Sequence, residues 1–205
     1  MTRKVQRVRY HLDARGIRSL LEADIRAILR GADDLIMRGG RSLLVKILKG
    51  SRSQDVLSQS LELSPVYGRF RHLAAAQVLA RVDWVILNGY LTLEYDHRLP
   101  LLIYTPRGWA IEREIYADEL LQNLNHMLIA GQDAADLSYL KDKNREVIWL
   151  LLDKVEATGD TRYIPLLSAW EQIDYKKVRQ RIRQVIERLN KSDSEPTAAA
   201  DQPCD

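Results

Sequence analysis

A single hairpin set between two helical runs is the strongest constraint this sequence places on its fold. Leu91, Leu93 and Tyr95 alternate with Thr92 and Glu94, the two-residue period of a strand with one face turned inward. Asp96–Pro100 reads as the loop and Leu101–Tyr104 as the return strand. Before the hairpin, Ala74–Asn88 carries Val78, Val82, Val85 and Ile86 on one helical stripe. Gln77, Arg81, Trp84 and Asn88 share another face, and Gly89 supplies the C-cap. After the hairpin, Thr105-Pro106 offers an N-cap and a proline at the first helical position. Ile111, Ile115, Leu120, Leu121, Leu124 and Leu128 carry that helix toward Gly131. The pattern predicts a mostly α fold with a small β-hairpin wing.

Upstream, Leu20, Leu21, Ile25, Ile28 and Leu29 recur at helical spacing from Ile17, with Gly31 ending or bending that helix. Asp33-Asp34 reads as a helix-start signal, and Gly39-Gly40 breaks the chain again. Leu43, Leu44, Ile47 and Leu48 form the next helix, which stops at Gly50. Gln54–Ser60 adds a short helical turn, and Pro65 and Gly68 mark a loop. A second unit begins near Lys141. It has an apolar helix over Asn144–Glu156, a turn at Thr158-Gly159-Asp160, and a helix pair over Arg162–Ile173 and Tyr175–Leu189. The expected division is a flexible basic arm over 1–15, a hairpin-bearing domain with flanking helices over 16–131, a helical unit over 141–190, and a disordered acidic tail over 191–205.

Charge matters here through its distribution, because the formal net charge is only +3. The stretch Met1–Arg52 holds Arg3, Lys4, Arg7, Arg9, Arg15, Arg18, Arg26, Arg30, Arg38, Arg41, Lys46, Lys49 and Arg52. Its acids are Asp13, Glu22, Asp24, Asp33 and Asp34. A basic front end is the footprint of phosphate contact or, equally, a solvated basic surface. The single cysteine, Cys204, excludes an internal disulfide and a cysteine-based zinc site, and fits a reducing cytosol, so a cytoplasmic location is expected. No apolar run is long enough to span a bilayer, and the basic N-terminus lacks the apolar stretch of a secretory signal. His11, His72, His97 and His126 form no HExxH pair, and GxxxxGK[ST], GxSxG and GxGxxG are absent. No metal, cofactor or catalytic residue is expected.

Four separated words then point to one family. VKILKGSRSQDV (Val45–Val56), SPVYGRFR (Ser64–Arg71), WVILNGYLTL (Trp84–Leu93) and IYTPRGW (Ile103–Trp109) occur in the order found in the C-terminal winged helix of RecQ-type DNA helicases. The segment Met37–Ile111 resembles that RQC module, and the arrangement without a motor resembles stand-alone bacterial proteins of the RQC-minor kind. RecQ helicases usually carry a cysteine zinc subdomain ahead of this module, which this chain cannot build. Thr158–Leu189 resembles one HEAT-like repeat, through Gly159-Asp160, Pro165, Asp174 and Val178-Arg179. The fold class implied is a winged helix-turn-helix followed by a helical, HEAT-like unit.

The candidate DNA-binding residues fall in three loops and one helix. In the first loop Gly50 permits a sharp turn, Ser51 and Ser53 offer hydroxyls, Arg52 a guanidinium and Gln54 an amide, a set suited to phosphate oxygen. The resemblance implies the same role, and a polar surface turn is the bland alternative. In the second, Tyr67-Gly68-Arg69 and Arg71 combine a flat ring with two cations. In the wing, His97 and Arg98 occupy the tip, where relatives often carry an aromatic wedge between paired bases. Arg81, with Gln77, faces away from the apolar stripe, where many winged helices read the major groove. The function expected is non-catalytic DNA binding, duplex or branched and largely independent of sequence. A role in repair, replication or recombination is implied by the resemblance. A winged-helix transcription regulator is one alternative. Another is an adaptor docking a protein partner through residues 141–190, where Lys176, Lys177, Arg179, Arg181 and Arg183 cluster.

Overall fold

Two compact units, Met1–Ile115 and Tyr116–Asp205, divide the chain in a computed structural model that describes residues 8–131 and 136–194. The first holds α1 (Glu22–Asp33), α2 (Arg41–Lys49), α3 (Gln54–Leu57), a 3₁₀ turn over Leu61–Leu63, α4 (Ala75–Leu87), β1 (Leu91–Asp96), β2 (Leu99–Tyr104) and the start of α5 (Pro106–Ile129). α2 packs on α1 and α4, and the hairpin follows α4 onto the same core. Ile28, Leu29, Leu44, Ile47, Leu48, Val78, Val82, Val85 and Leu102 are fully buried there. Each such side chain contributes on the order of 1.5–3 kcal/mol relative to exposure. This is the mostly α arrangement with a β-hairpin wing that the pattern predicts, and the winged helix that the resemblance implies.

Gly31 lies inside α1 and does not end it. A Cβ there would stand 3.0 Å from Val66 Cγ2 and 3.2 Å from Leu44 Cδ1, so the missing side chain sets how closely α1 meets α2. α1 therefore runs on to Asp33 with Asp34 as its C-cap, and the Asp33-Asp34 pair closes a helix where the sequence suggested it opens one. The start differs as well. Ile17 and Leu20 pack on the core outside the helix, which begins at Glu22 with two acids in its first turn.

Antiparallel pairing runs from Leu91↔Tyr104 to Asp96↔Leu99, so the turn is His97-Arg98 alone. Leu99 and Pro100, expected in the loop, are strand residues. His97 takes φ +50°, which lets so short a turn close. The wing is anchored on its far edge: Met37 N–H donates to Leu102 O (3.0 Å), and Leu102 N–H donates to Gly39 O (2.9 Å). Thr105 caps α5 as expected, its Oγ1 accepting from Gly108 N–H at 3.1 Å. A Cβ at Gly108 would fall 1.9 Å from Tyr90 O, so that position admits only glycine.

The expected arm over 1–15 divides in two. Residues 1–7 lie outside the described residues, while the following segment is attached. Val8 N–H donates to Arg98 O (2.9 Å), Tyr95 Oη donates to Val8 O (2.6 Å), and Asp13 N–H donates to Asp83 Oδ2 (2.9 Å). The buried Asp83 carboxylate also receives Arg41 Nη1 at 2.5 Å, tying α4, the start of α2 and the N-terminal segment to one anion.

In the second unit the remainder of α5 is joined by a 3₁₀ turn over Ser138–Leu140, α6 (Arg145–Thr158), a 3₁₀ turn over Thr161–Tyr163, α7 (Ile164–Ile173) and α8 (Lys176–Ser194). The boundary expected between 131 and 141 thus falls earlier, inside α5. Its cause is that Asp118 pairs with Lys154 of α6 (2.9 Å) and Asn125 accepts from the Tyr163 hydroxyl. Asn144 caps α6 and Gly159 closes it at φ +63°. The buried Asp174 accepts from Trp170 Nε1 at 2.7 Å and from Tyr175 N–H at 2.6 Å, which fixes the turn between α7 and α8. Part of the α8 basic cluster is neutralised. Arg181 meets Asp153 (2.5 Å) and Glu156 (2.9 Å), Arg183 meets Glu171 (2.6 Å), and Arg188 meets Glu156. The tail beyond 194 lies outside the described residues. No helix among the described residues is long and apolar enough to cross a membrane.

Candidate nucleic-acid interface

Two of the predicted loops are one surface, and two glycines make them so. α2 ends at Gly50, which takes φ +72°, and Gly68 in the second loop takes φ +72° as well. A Cβ on Gly50 would stand 3.1 Å from Gly68 Cα, so the two backbones pass closer than any side chain allows. Three hydrogen bonds hold them there. Gly68 N–H donates to Ile47 O (2.9 Å), Phe70 N–H to Leu48 O (2.8 Å), and Tyr67 Oη to Ser51 O (3.0 Å). Lys49 adds a brace, its ammonium donating to Arg71 O (2.8 Å) and to Leu73 O. Between the loops lies a cavity of about 240 Å³ lined by Lys49, Gly50, Arg52, Tyr67, Gly68 and Arg71.

Charge at this surface is unbalanced. Arg52, Arg69 and Arg71 are exposed, and none of the three guanidiniums has an anionic partner among the described residues. The nearest acid in sequence, Asp55, is already engaged: it accepts a hydrogen bond from Lys46, and that bond, then the ammonium charge, holds its carboxyl below the usual range. The hydroxyls behave differently from the expectation. Ser51 Oγ accepts from Ser53 N–H (3.3 Å), and Ser53 Oγ is buried with no hydrogen-bond partner in the described residues. The amides of Gly50 and Ser51 close α2 by donating to Ile47 O and Lys46 O, both at 2.9 Å. The outward-facing chemistry of the first loop is therefore Arg52, with exposed Gln54 beside it.

The remaining candidates lie elsewhere. Arg81 is partly buried, donating to Gln77 O (3.1 Å) with its Nε 4.0 Å from Asp24 of α1, and Gln77 Oε1 accepts from Ala74 N–H (2.9 Å). On the polar face of α4, Arg81 is thus partly engaged within the fold, while Gln77 stays exposed. Trp84, on that face by periodicity, is 8% exposed and stacked on Tyr90, whose ring carries the Arg107 guanidinium 3.9 Å from its centroid. His97 and Arg98 stay on the exposed wing tip, His97 Nδ1 lying 2.7 Å from Asp96 Oδ1. Sequence reasoning missed Lys49 and Tyr67 as braces, since nothing local marks a side chain whose partner is 16, 22 or 24 residues away. No group of three His, Cys, Asp or Glu side chains among the described residues is placed to hold a metal ion.

The family model of the RQC domain matches residues 21–119, from the start of α1 into α5. Neither curated proteins nor solved structures give a significant match. The matched span contains the α2–α4 core, both loops and the complete wing, so the helices, the hairpin and the paired loops are features of one module. Residues 21–119 are an RQC domain, the DNA-binding winged helix of RecQ helicases.

Proposed function

We propose that this chain is a cytoplasmic, non-catalytic protein that grips the backbone of duplex or branched DNA, with little regard to sequence, in repair, replication or recombination. The observation that carries this reading is the Gly50–Gly68 contact, which gathers Arg52 and Arg71 at one cavity with no neutralising acid among the described residues. Guanidiniums fixed on a braced backbone suit phosphate oxygens, whose positions repeat whatever the bases. Operator reading is the weaker alternative, because Gln77 and Arg81, the residues it would use, are held by Ala74 and Asp24. The absence of a nucleotide phosphate-binding motif in these residues supports binding without catalysis.

The test is a salt series of binding to several unrelated duplex sequences, with Arg52→Ala/Arg71→Ala as the variant. Wild-type affinity should be alike across sequences. The variant should lose about 1.8 from the log–log salt slope, at about 0.9 per phosphate contact. A strong preference for one sequence, or an unchanged slope in the variant, defeats this reading.

A further inference from the structure

The second unit carries unanswered charge of its own, and aromatic rings hold it in place. Lys141, Lys143 and Arg145 occupy alternate positions of one short stretch, and each lies over a ring from a different part of the unit. Lys141 Nζ stands 4.9 Å from the ring centroid of Tyr175, in the turn before α8. Lys143 Nζ stands 5.3 Å from that of Tyr116 in α5, and the Arg145 guanidinium 5.8 Å from that of Trp149 in α6. A ring beneath a cation attracts it and restrains its flexible stem. Beside Tyr175, α8 opens with Lys176 and Lys177, both exposed, and no acid stands in its first turn. Lys141, Tyr175, Lys176 and Lys177 therefore form one exposed strip.

Other cations of α8 show the contrast. Arg181 is answered by Asp153 and Glu156, Arg183 by Glu171, and Arg188 by Glu156. At the strip, none of Lys141, Lys176 and Lys177 has an anionic partner among the described residues, although Asp142 is exposed beside the first. The neighbouring Asp174 is buried and already holds Trp170 Nε1 and Tyr175 N–H. Tyr175 itself is 52% exposed, and its hydroxyl makes no hydrogen bond within the described residues. Ammonium groups beside an exposed tyrosine hydroxyl suit backbone phosphate, which they bind without reading bases. An acidic polypeptide also meets such charges. The Arg52–Arg71 surface favours DNA over it, because a second foothold on the same polymer raises affinity through effective concentration.

We propose that the strip at Lys141, Tyr175, Lys176 and Lys177 is a second phosphate-binding surface for duplex DNA, outside the RQC domain. The proposal rests on the backbone-gripping reading above for its choice of ligand. The test uses the full chain and a long duplex of arbitrary sequence across a salt series. The variants are Lys176→Ala/Lys177→Ala, Arg183→Ala/Arg188→Ala and Arg52→Ala/Arg71→Ala. Lys176→Ala/Lys177→Ala should weaken duplex binding about fivefold or more and lower the log–log salt slope by about 1.8, at about 0.9 per phosphate. Arg183→Ala/Arg188→Ala removes the same formal charge from the same helix at ion-paired positions, and should change affinity by less than about twofold. An unchanged slope in the lysine variant overturns the proposal, as does an equal loss in both α8 variants, which makes net charge the cause. Poly-glutamate that binds wild type and is released by Lys176→Ala/Lys177→Ala, with duplex binding unchanged, overturns it in favour of an acidic protein partner. A slope lowered by the lysine variant but not by Arg52→Ala/Arg71→Ala supports this surface and defeats the backbone-gripping reading of the first unit. Absence of wild-type binding to the duplex overturns both.

Discussion

Replacing Gly50 by alanine tests whether the paired loops are held by backbone contact. Two costs add. An L-residue at φ +72° costs about 1–2 kcal/mol relative to glycine. The new Cβ also starts 3.1 Å from Gly68 Cα, where carbon atoms prefer about 3.5–4.0 Å. The neighbour is backbone, so it relieves the contact only by moving the whole second loop. That movement strains the bonds from Gly68 and Phe70 to the end of α2 and from Tyr67 to the first loop, each with a net contribution of about 1 kcal/mol. The expected loss is therefore about 2–4 kcal/mol. Gly89→Ala is the internal control: φ is +70°, but a Cβ there meets nothing within 4 Å, so it should cost only the conformational part, about 1–2 kcal/mol. Equilibrium urea unfolding gives both values, and duplex affinity is measured on the same samples. Gly50→Ala should weaken DNA binding even where the protein remains folded, because Arg52 and Arg71 no longer hold their spacing. Gly89→Ala should not. Equal destabilisation by the two substitutions, with duplex affinity unchanged in Gly50→Ala, would refute the argument.

Three further outcomes follow from single side chains. Tyr67→Phe removes the bond to Ser51 O and should cost about 1 kcal/mol in urea unfolding, with a several-fold loss of duplex affinity that Arg52→Ala makes redundant. Asp83→Ala strands the Arg41 guanidinium, whose side chain is 17% exposed, and should cost about 3–5 kcal/mol, whereas Arg41→Met/Asp83→Leu should cost clearly less. If the double substitution is no milder than the single one, the buried ion is not the cause. In the second unit, the Arg188 hydrogen bond, opposed by burial and aided by Arg181, holds the Glu156 carboxyl below its ordinary 4.5. A depressed carboxylate stabilises the fold above the unfolded-state value, and that contribution disappears as pH falls through the folded one. Wild type should therefore lose stability below about pH 4.5 more steeply than Glu156→Gln in acid unfolding followed by circular dichroism.

What was legible in the sequence was whatever a short window determines. The α4 stripe at Val78, Val82 and Val85, the alternation along Leu91–Tyr95, the Thr105-Pro106 cap and the Gly159 turn all state their structure within a few residues. Gly31 and Gly108 show why other features were not. Both are glycines in helices, and locally a glycine signals an ending. Their actual reasons are Val66 and Leu44 for one and Tyr90 O for the other, atoms distant in sequence. The candidate site divides in the same way. Gly50, Arg52 and Arg71 could be picked out as residue types suited to phosphate, but that Gly50 and Gly68 lie back to back is a fact of tertiary structure. Ser53, chosen for its hydroxyl, stands at the N-cap of α3 with that group buried and making no capping hydrogen bond.

The same distinction resolves the basic front end, which charge counting left divided between phosphate contact and solvated surface. Folding separates those cations by partner. Arg26 lies by Glu22, Arg30 by Asp33 and Glu112, Arg41 by Asp83 and Lys46 by Asp55, while Lys49 braces two carbonyls. These charges belong to the structure, and removing them weakens the fold before it weakens any contact with DNA. Arg9, Arg15, Arg18, Arg38 and Arg52 are exposed with no acid to answer them among the described residues, and Arg69 and Arg71 from the second loop join them. An unpaired guanidinium on an exposed surface attracts phosphate without first breaking an ion pair, so its field is available at long range. Duplex affinity should accordingly follow Arg52 and Arg71, the unpaired guanidiniums at the paired loops, although they are a minority of the basic residues in the first unit.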